Sequence, residues 1–162
     1  MPLNVERTSP TTLVVTRPFA APLQRVWDAH IRPDLLRRWM NGYEGWMLST
    51  CEVDARPGGA IRYEWSNPAM GGGFHLTGHF EIVEPPAQGR ARTVHVEVMH
   101  LPDPTPPNTV ETRFDATEGG TLLTMTMQVD DPASMEAMIA TGMTDGMEWS
   151  YAQLDALEAE AA

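Results

Sequence analysis

The stretch DPASMEAMIATGMTDGMEWSYAQLDALEAE, Asp131 to Glu160, decides the reading of the chain. Asp131 can accept hydrogen bonds from free backbone N–H groups, and Pro132 suits a first helical position. Apolar residues then return at helical spacing: Met135, Ile139, Met143, Met147, Leu154 and Leu157, with Ser150 completing the stripe. Glu136, Thr144, Asp145, Glu148 and Asp155 take the opposite side. One continuous helix of this length would run about 40 Å, enough to span a small domain. Gly142 and Gly146 lie one turn apart beside the stripe, each costing about 1 kcal/mol relative to Ala inside a helix. Two explanations stay open for them: close backbone packing, or space left for a ligand.

Upstream the period is mostly two. Residues 1–11 are polar and Pro-punctuated and read as a frayed tail, with a single domain over 12–160. Leu13-Val14-Val15-Thr16-Arg17 reads as a first strand. Ala21-Pro22 opens a helix with Leu23, Val26, Trp27 and Ile31 on one face, and Pro33 opens a second with Leu35, Leu36, Trp39 and Met40. Alternation then marks strands through Cys51–Ala55, Ile61–Trp65, Phe74–Val83, Val94–Val98, Val110–Phe114 and Leu123–Met127. Pro85-Pro86 is expected to stop the strand that begins at Phe74. The predicted order is strand, two short helices, six antiparallel strands, one long helix. That is an α+β fold in which a curved antiparallel sheet of about seven strands wraps a C-terminal helix.

Composition removes several functions. The 162 residues carry a net charge of −11, and all 11 basic residues are Arg. Without Lys there is no Schiff-base chemistry and no P-loop. The acidic balance excludes a basic nucleic-acid face. No long apolar run predicts a membrane span, no N-terminal signal pattern appears, and a cytoplasmic protein is expected. The single Cys51 permits no internal disulfide and reads as a small core residue. Gly71-Gly72-Gly73 lacks the strand–loop–helix setting of a phosphate loop and reads as a flexible hairpin.

Five His residues invite a metal reading: His30, His75, His79, His95 and His100. His75 and His79 lie about 13 Å apart along one strand, too far to share an ion. His79 and His95 could meet across neighbouring strands near Glu81 and Glu97, but alternation puts all four on the wet face of the sheet. Neither a metal nor a cofactor is expected. Asp54 and Arg56 read as a surface ion pair.

The order of elements and several motifs resemble the SRPBCC superfamily, the START-like or birch-pollen-allergen-like helix-grip fold. The branch it is similar to is the C-terminal domain of the activator of the heat-shock protein 90 ATPase. The resemblance is carried by Phe19-Ala20-Ala21-Pro22 with Val26-Trp27, and by Pro33-Asp34-Leu35-Leu36 with Trp39. Cys51 through Gly59, Arg62-Tyr63 and Gly78 through Pro86 continue it, and Gly142-Met143 and Gly146-Met147 with Ser150 and Leu154 close it. Two departures bear on the cavity mouth: Met40 stands where a second aromatic often follows, and Ala20 where a polar residue usually precedes Ala-Pro.

The resemblance implies a cavity between sheet and helix for a small apolar or amphipathic molecule, and no shared catalytic residue. Inward alternation and the helix stripe nominate Trp27, Trp39, Trp46, Tyr63, Trp65, Phe80, Phe114, Met125, Gly142, Met143, Gly146 and Met147 as its lining. The expected protein is a ligand binder more than an enzyme, with a small apolar molecule as partner, no nucleic acid and no membrane. A polyketide cyclase- or dehydratase-like activity in the same cavity is the enzyme alternative, and it requires an ionisable group pointing inward. A chaperone partner and a homodimer remain open.

Overall fold

Alternating apolar and polar side chains explain much of the architecture seen in the computed structural model, which describes residues 2–161. Among these residues the elements are β1 (Asn4–Ser9), β2 (Thr12–Phe19), α1 (Leu23–Ile31), α2 (Pro33–Trp39), β3 (Met47–Val53) and β4 (Ala60–Asn67). They continue with β5 (Gly72–Ala87), β6 (Arg90–His100), β7 (Asn108–Thr117), β8 (Gly120–Gln128), α3 (Pro132–Ala140) and α4 (Met143–Ala161). The strands form one open antiparallel sheet in the order β1-β2-β8-β7-β6-β5-β4-β3. Bulges between Phe80 and Ile82 and between Glu84 and Ala87 of β5 add bend and twist, so the sheet curves around the helices. The fold is α+β and helix-grip, as the alternation predicts. Among the described residues no helix is long and apolar enough to cross a membrane.

The concave face holds the core. Phe19, Val26, Trp27, Leu36, Trp39, Leu123, Tyr151 and Leu154 belong to one buried cluster that joins α1, α2 and α4 to the sheet. Leu13, Val110, Met127, Val129 and Met135 form a second, beneath α3. Each fully buried aliphatic side chain contributes about 1.5–3 kcal/mol.

Four expectations change. Part of the predicted N-terminal tail is an edge strand: Asn4 to Ser9 pairs with β2 from Thr16 back to Thr12. Its residues are mostly exposed, so no apolar alternation announces it.

The single long helix is two. Asp131 caps α3 as expected, its Oδ1 accepting from Ser134 N–H at 2.8 Å. Gly142 then takes φ +75°, the left-handed conformation that ends helices and favours glycine, and α4 starts afresh at Met143.

Strand β5 runs through Pro85-Pro86 instead of stopping before them. On the β4 side its backbone bonds end at Phe80, which pairs with Gly58 and Gly59. On the β6 side Pro85-Pro86 fall in the bulge between Glu84 and Ala87, so the missing N–H groups break no ladder.

Finally, β6 faces the other way from its predicted orientation. Thr93, His95, Glu97 and Met99 look inward, lining the space under the sheet, and Val94, Val96 and Val98 take the opposite face.

Candidate functional site: a cavity between sheet and helices

The two core clusters leave a cavity of about 640 Å³ between them, lined by members of both. The sheet supplies Ile61, Tyr63, Trp65, Phe74, Leu76 and Phe80 from β4 and β5, and Val110, Phe114, Met125 and Met127 from β7 and β8. The helices supply Met138, Met143, Gly146, Met147 and Tyr151. Leu101, Pro106, Ala137 and Thr141 also line it and are exposed, which sets the mouth between the β6–β7 loop and the α3–α4 break.

Of the residues nominated from sequence, Trp39, Tyr63, Trp65, Phe80, Phe114, Met125, Met143, Gly146 and Met147 line this cavity. Trp27 does not: it is core, packed edge-on against Phe114 with ring centroids 5.6 Å apart. Trp46 lies over Phe74, centroids 5.2 Å apart, beside a shallow surface hollow. Gly142 is likewise outside, with its carbonyl accepting from the Tyr43 hydroxyl at 3.4 Å. Met40, at the family's frequently aromatic position, is part of the lining.

The aromatic wall is held by backbone hydrogen bonds. Trp39 Nε1 donates to Ala29 O and Trp65 Nε1 to Met40 O, both at 3.0 Å. With their N–H groups satisfied, the two indoles can present apolar rings to the cavity. Trp65 stacks on Phe74 at 5.0 Å and Trp39 on Tyr151 at 5.2 Å between centroids.

Polar groups enter where the sequence reading put none. His30 packs among Phe19, Trp39, Phe114 and Tyr151. Its Nδ1 lies 2.7 Å from Val26 O, which can only accept, so the ring proton sits on Nδ1. Nε2 then accepts from the Tyr151 hydroxyl at 3.3 Å. Burial disfavours the imidazolium and lowers the His30 pKa to about 4; burial raises the hydroxyls of Tyr63 and Tyr151. All three are therefore neutral groups at physiological pH.

His95 Nε2 and Glu97 Oε1 are 2.7 Å apart, with side chains only 17% and 21% exposed. The expectation that both face solvent is overturned, whereas His79 and Glu81 are exposed. On the face away from the cavity, His75 stacks on His100 with centroids 4.1 Å apart. Asp54 and Arg56 make the expected exposed ion pair, at 2.8 Å. Cys51 is buried, and burial pushes its thiol up to about 11, which suits a core residue and not a nucleophile.

The lining residues missed from sequence include His30, Thr93, His95, Glu97, Asn108 and Tyr151. For Tyr151 the helical stripe held a signal, since it lies four residues after Met147 and beside Ser150. For the β6 residues there was none, because the apolar valines occupied the alternate positions.

The fold and several solved structures correspond over nearly the whole chain. A crystal structure of a protein from Rhodobacter sphaeroides superposes with a TM-score of 0.89 at 31% identity, covering 99% of both chains. A protein from Mycobacterium smegmatis gives 0.80 at 24% identity, over 96% of each chain. An AHSA1-like protein from Aeromonas hydrophila, solved in solution, gives 0.68 at 23%, over 91% of this chain and 94% of that one. Comparison with curated proteins finds no match. The sequence profile described as Activator of Hsp90 ATPase homolog 1-like protein matches residues 20–158. With that span and the Rhodobacter relative at 31% identity, the chain belongs to the Activator of Hsp90 ATPase homolog 1-like family, within the SRPBCC-type helix-grip fold.

Proposed function

We propose that this protein is a cytoplasmic binder of a small apolar or amphipathic molecule, held in the cavity between the sheet and helices α3 and α4. The observation that carries this is the cavity itself: about 640 Å³, within the range of about 300–1,000 Å³ usual for small-molecule sites. Its walls are mainly aromatic, aliphatic and Met side chains, with few polar groups among them. Methionines such as Met125, Met143 and Met147 adapt to more than one ligand shape. The test is extraction and mass spectrometry of whatever co-purifies, with titration by the neutral fluorophore N-phenylnaphthylamine. Saturable one-to-one binding supports the reading, and its absence together with an empty extract removes it.

The His95–Glu97 pair favours one second reading, a cyclase- or dehydratase-like reaction run by proton transfer within the same cavity. A carboxylate hydrogen-bonded to an imidazole fixes the ring's orientation, and a positioned imidazole is the commonest general base. Turnover of an enolisable or hydroxylated polyketide-like probe, lost in His95→Phe with probe binding retained, would establish it. Binding without turnover across such probes leaves the carrier reading standing.

A further inference from the structure

The cavity is unevenly polar. Across β6 and β7, Glu97 stands opposite Asn108 and His95 opposite Val110, and His95, Glu97 and Asn108 all line the cavity. Asn108 is 6% exposed. Its Nδ2 donates to Met138 Sδ on α3 at 3.6 Å, and its Oδ1 has no donor from the protein. A buried carbonyl oxygen left so has lost its hydrogen bonds to solvent without replacement. Beside it, the Glu97 oxygen that does not meet His95 is a second acceptor. What this end of the cavity asks for is a donor.

The cations lead to the same conclusion. The chain has no Lys, and among the described residues no Arg lines the cavity. The buried Arg17 is engaged by Glu148 and Asp155 at 3.0 and 2.9 Å. A carboxylate-headed ligand would bring a second negative charge to Glu97 in an apolar enclosure with no guanidinium to offset it.

We propose that Asn108 and Glu97, with His95 orienting Glu97, form a head-group subsite for an apolar molecule that carries a hydroxyl. The subsite discriminates against the same skeleton ending in a carboxylate. This deepens the apolar-ligand reading and rests on it. The hydroxyl donates to Asn108 Oδ1 or to Glu97, and the skeleton lies against the aromatic and Met walls. His95 is a positioning residue in this arrangement: its Nε2 holds one Glu97 oxygen and leaves the other for the ligand.

The test is calorimetric titration at neutral pH with naphthol, methylnaphthalene and naphthoate, all substituted at the same ring carbon. The native protein is expected to bind naphthol about tenfold tighter than methylnaphthalene, one good hydrogen bond's worth. Naphthoate is expected to bind weakest of the three. Asn108→Leu should bring naphthol and methylnaphthalene to within about twofold of each other while methylnaphthalene affinity is kept. Should Asn108→Leu fail to fold by circular dichroism, Glu97→Gln serves instead, and it should relieve the discrimination against naphthoate. Equal affinity of the native protein for naphthol and methylnaphthalene, or preference for naphthoate, overturns the subsite and leaves the apolar cavity standing. An unchanged preference in both variants also overturns it. Binding of none of the three probes removes the cavity reading and the subsite together.

Discussion

Arg17 on β2 and Glu148 on α4 are joined by two parallel hydrogen bonds, Nε to Oε1 and Nη2 to Oε2, each 3.0 Å. Asp155 takes Nη1 at 2.9 Å, and the guanidinium carbon lies 5.0 Å from the centre of the Phe19 ring. Arg17 is 1% exposed, so it cannot regain water if a partner is lost. Leu3 N–H, one residue before β1, also donates to Glu148 Oε1 at 2.8 Å, so one carboxylate ties the start of the chain, β2 and α4 together. Helix α4 is one wall of the cavity, and this clamp sets its position. Glu148→Gln should destabilise the protein by about 2 kcal/mol, less than a fully orphaned buried charge because Asp155 remains. Urea unfolding measures it, and a change below a few tenths would contradict the clamp.

Acid should unfold the protein in two stages. The His30 ring stays neutral when folded down to about pH 4, whereas its unfolded value is 6.5. Between those values the unfolded chain binds the extra proton, so stability is whole above pH 6.5 and falls as pH drops towards 4. The loss over the window is on the order of 3 kcal/mol. Glu148 acts lower: the Arg17 hydrogen bonds hold its carboxyl below the ordinary 4.5. Its contribution is present above that ordinary value and disappears as pH falls through the folded one. Denaturant titrations across pH should show both stages. His30→Phe, which keeps an aromatic ring among Phe19, Trp39 and Phe114, should flatten the upper stage alone. An unchanged slope above pH 4.5 in that variant would assign the first stage to another group.

The elements legible in the sequence were those whose alternation matched their burial. Ile61-Tyr63-Trp65 and Leu123-Met125-Met127 face inward as their period demands, and the succession of strands and helices gave the helix-grip order. Alternation failed on β6 because a cavity with a polar end inverts the rule that apolar residues point inward. Val94, Val96 and Val98 are apolar yet face away, and His95 and Glu97 are polar yet line the interior. β1 escaped notice for a different reason: an exposed edge strand has no buried face to write a period. Nor could sequence sort the tryptophans, since Trp27 in the core and Trp65 on the cavity wall satisfy the same apolar pattern.

Gly142 and Gly146 looked alike one turn apart, and they should respond oppositely to alanine. Gly142 has φ +75°, where a Cβ is strained, so Gly142→Ala should cost about 1 kcal/mol. Gly146 sits within α4, and an added Cβ would meet only the Tyr43 ring, at 3.6 Å and beyond. That is ordinary contact with no backbone nearby, so close backbone packing does not explain this glycine. Gly146→Ala should therefore stabilise by up to about 1 kcal/mol through helix propensity. Thermal melts of the two variants give the signs directly, and equal signs would refute the assignment of Gly142 as the helix break.

The cavity's capacity to take up an apolar molecule is tested most directly by filling it. Met125 projects from β8 into the cavity, and Met125→Trp adds bulk to open space, where overpacking costs little. Fluorescence titration with N-phenylnaphthylamine should give saturable one-to-one binding to the native protein. The folded variant should bind at least about tenfold more weakly, a loss of about 1.4 kcal/mol. Unchanged affinity in a folded Met125→Trp variant would place the probe elsewhere and contradict the account.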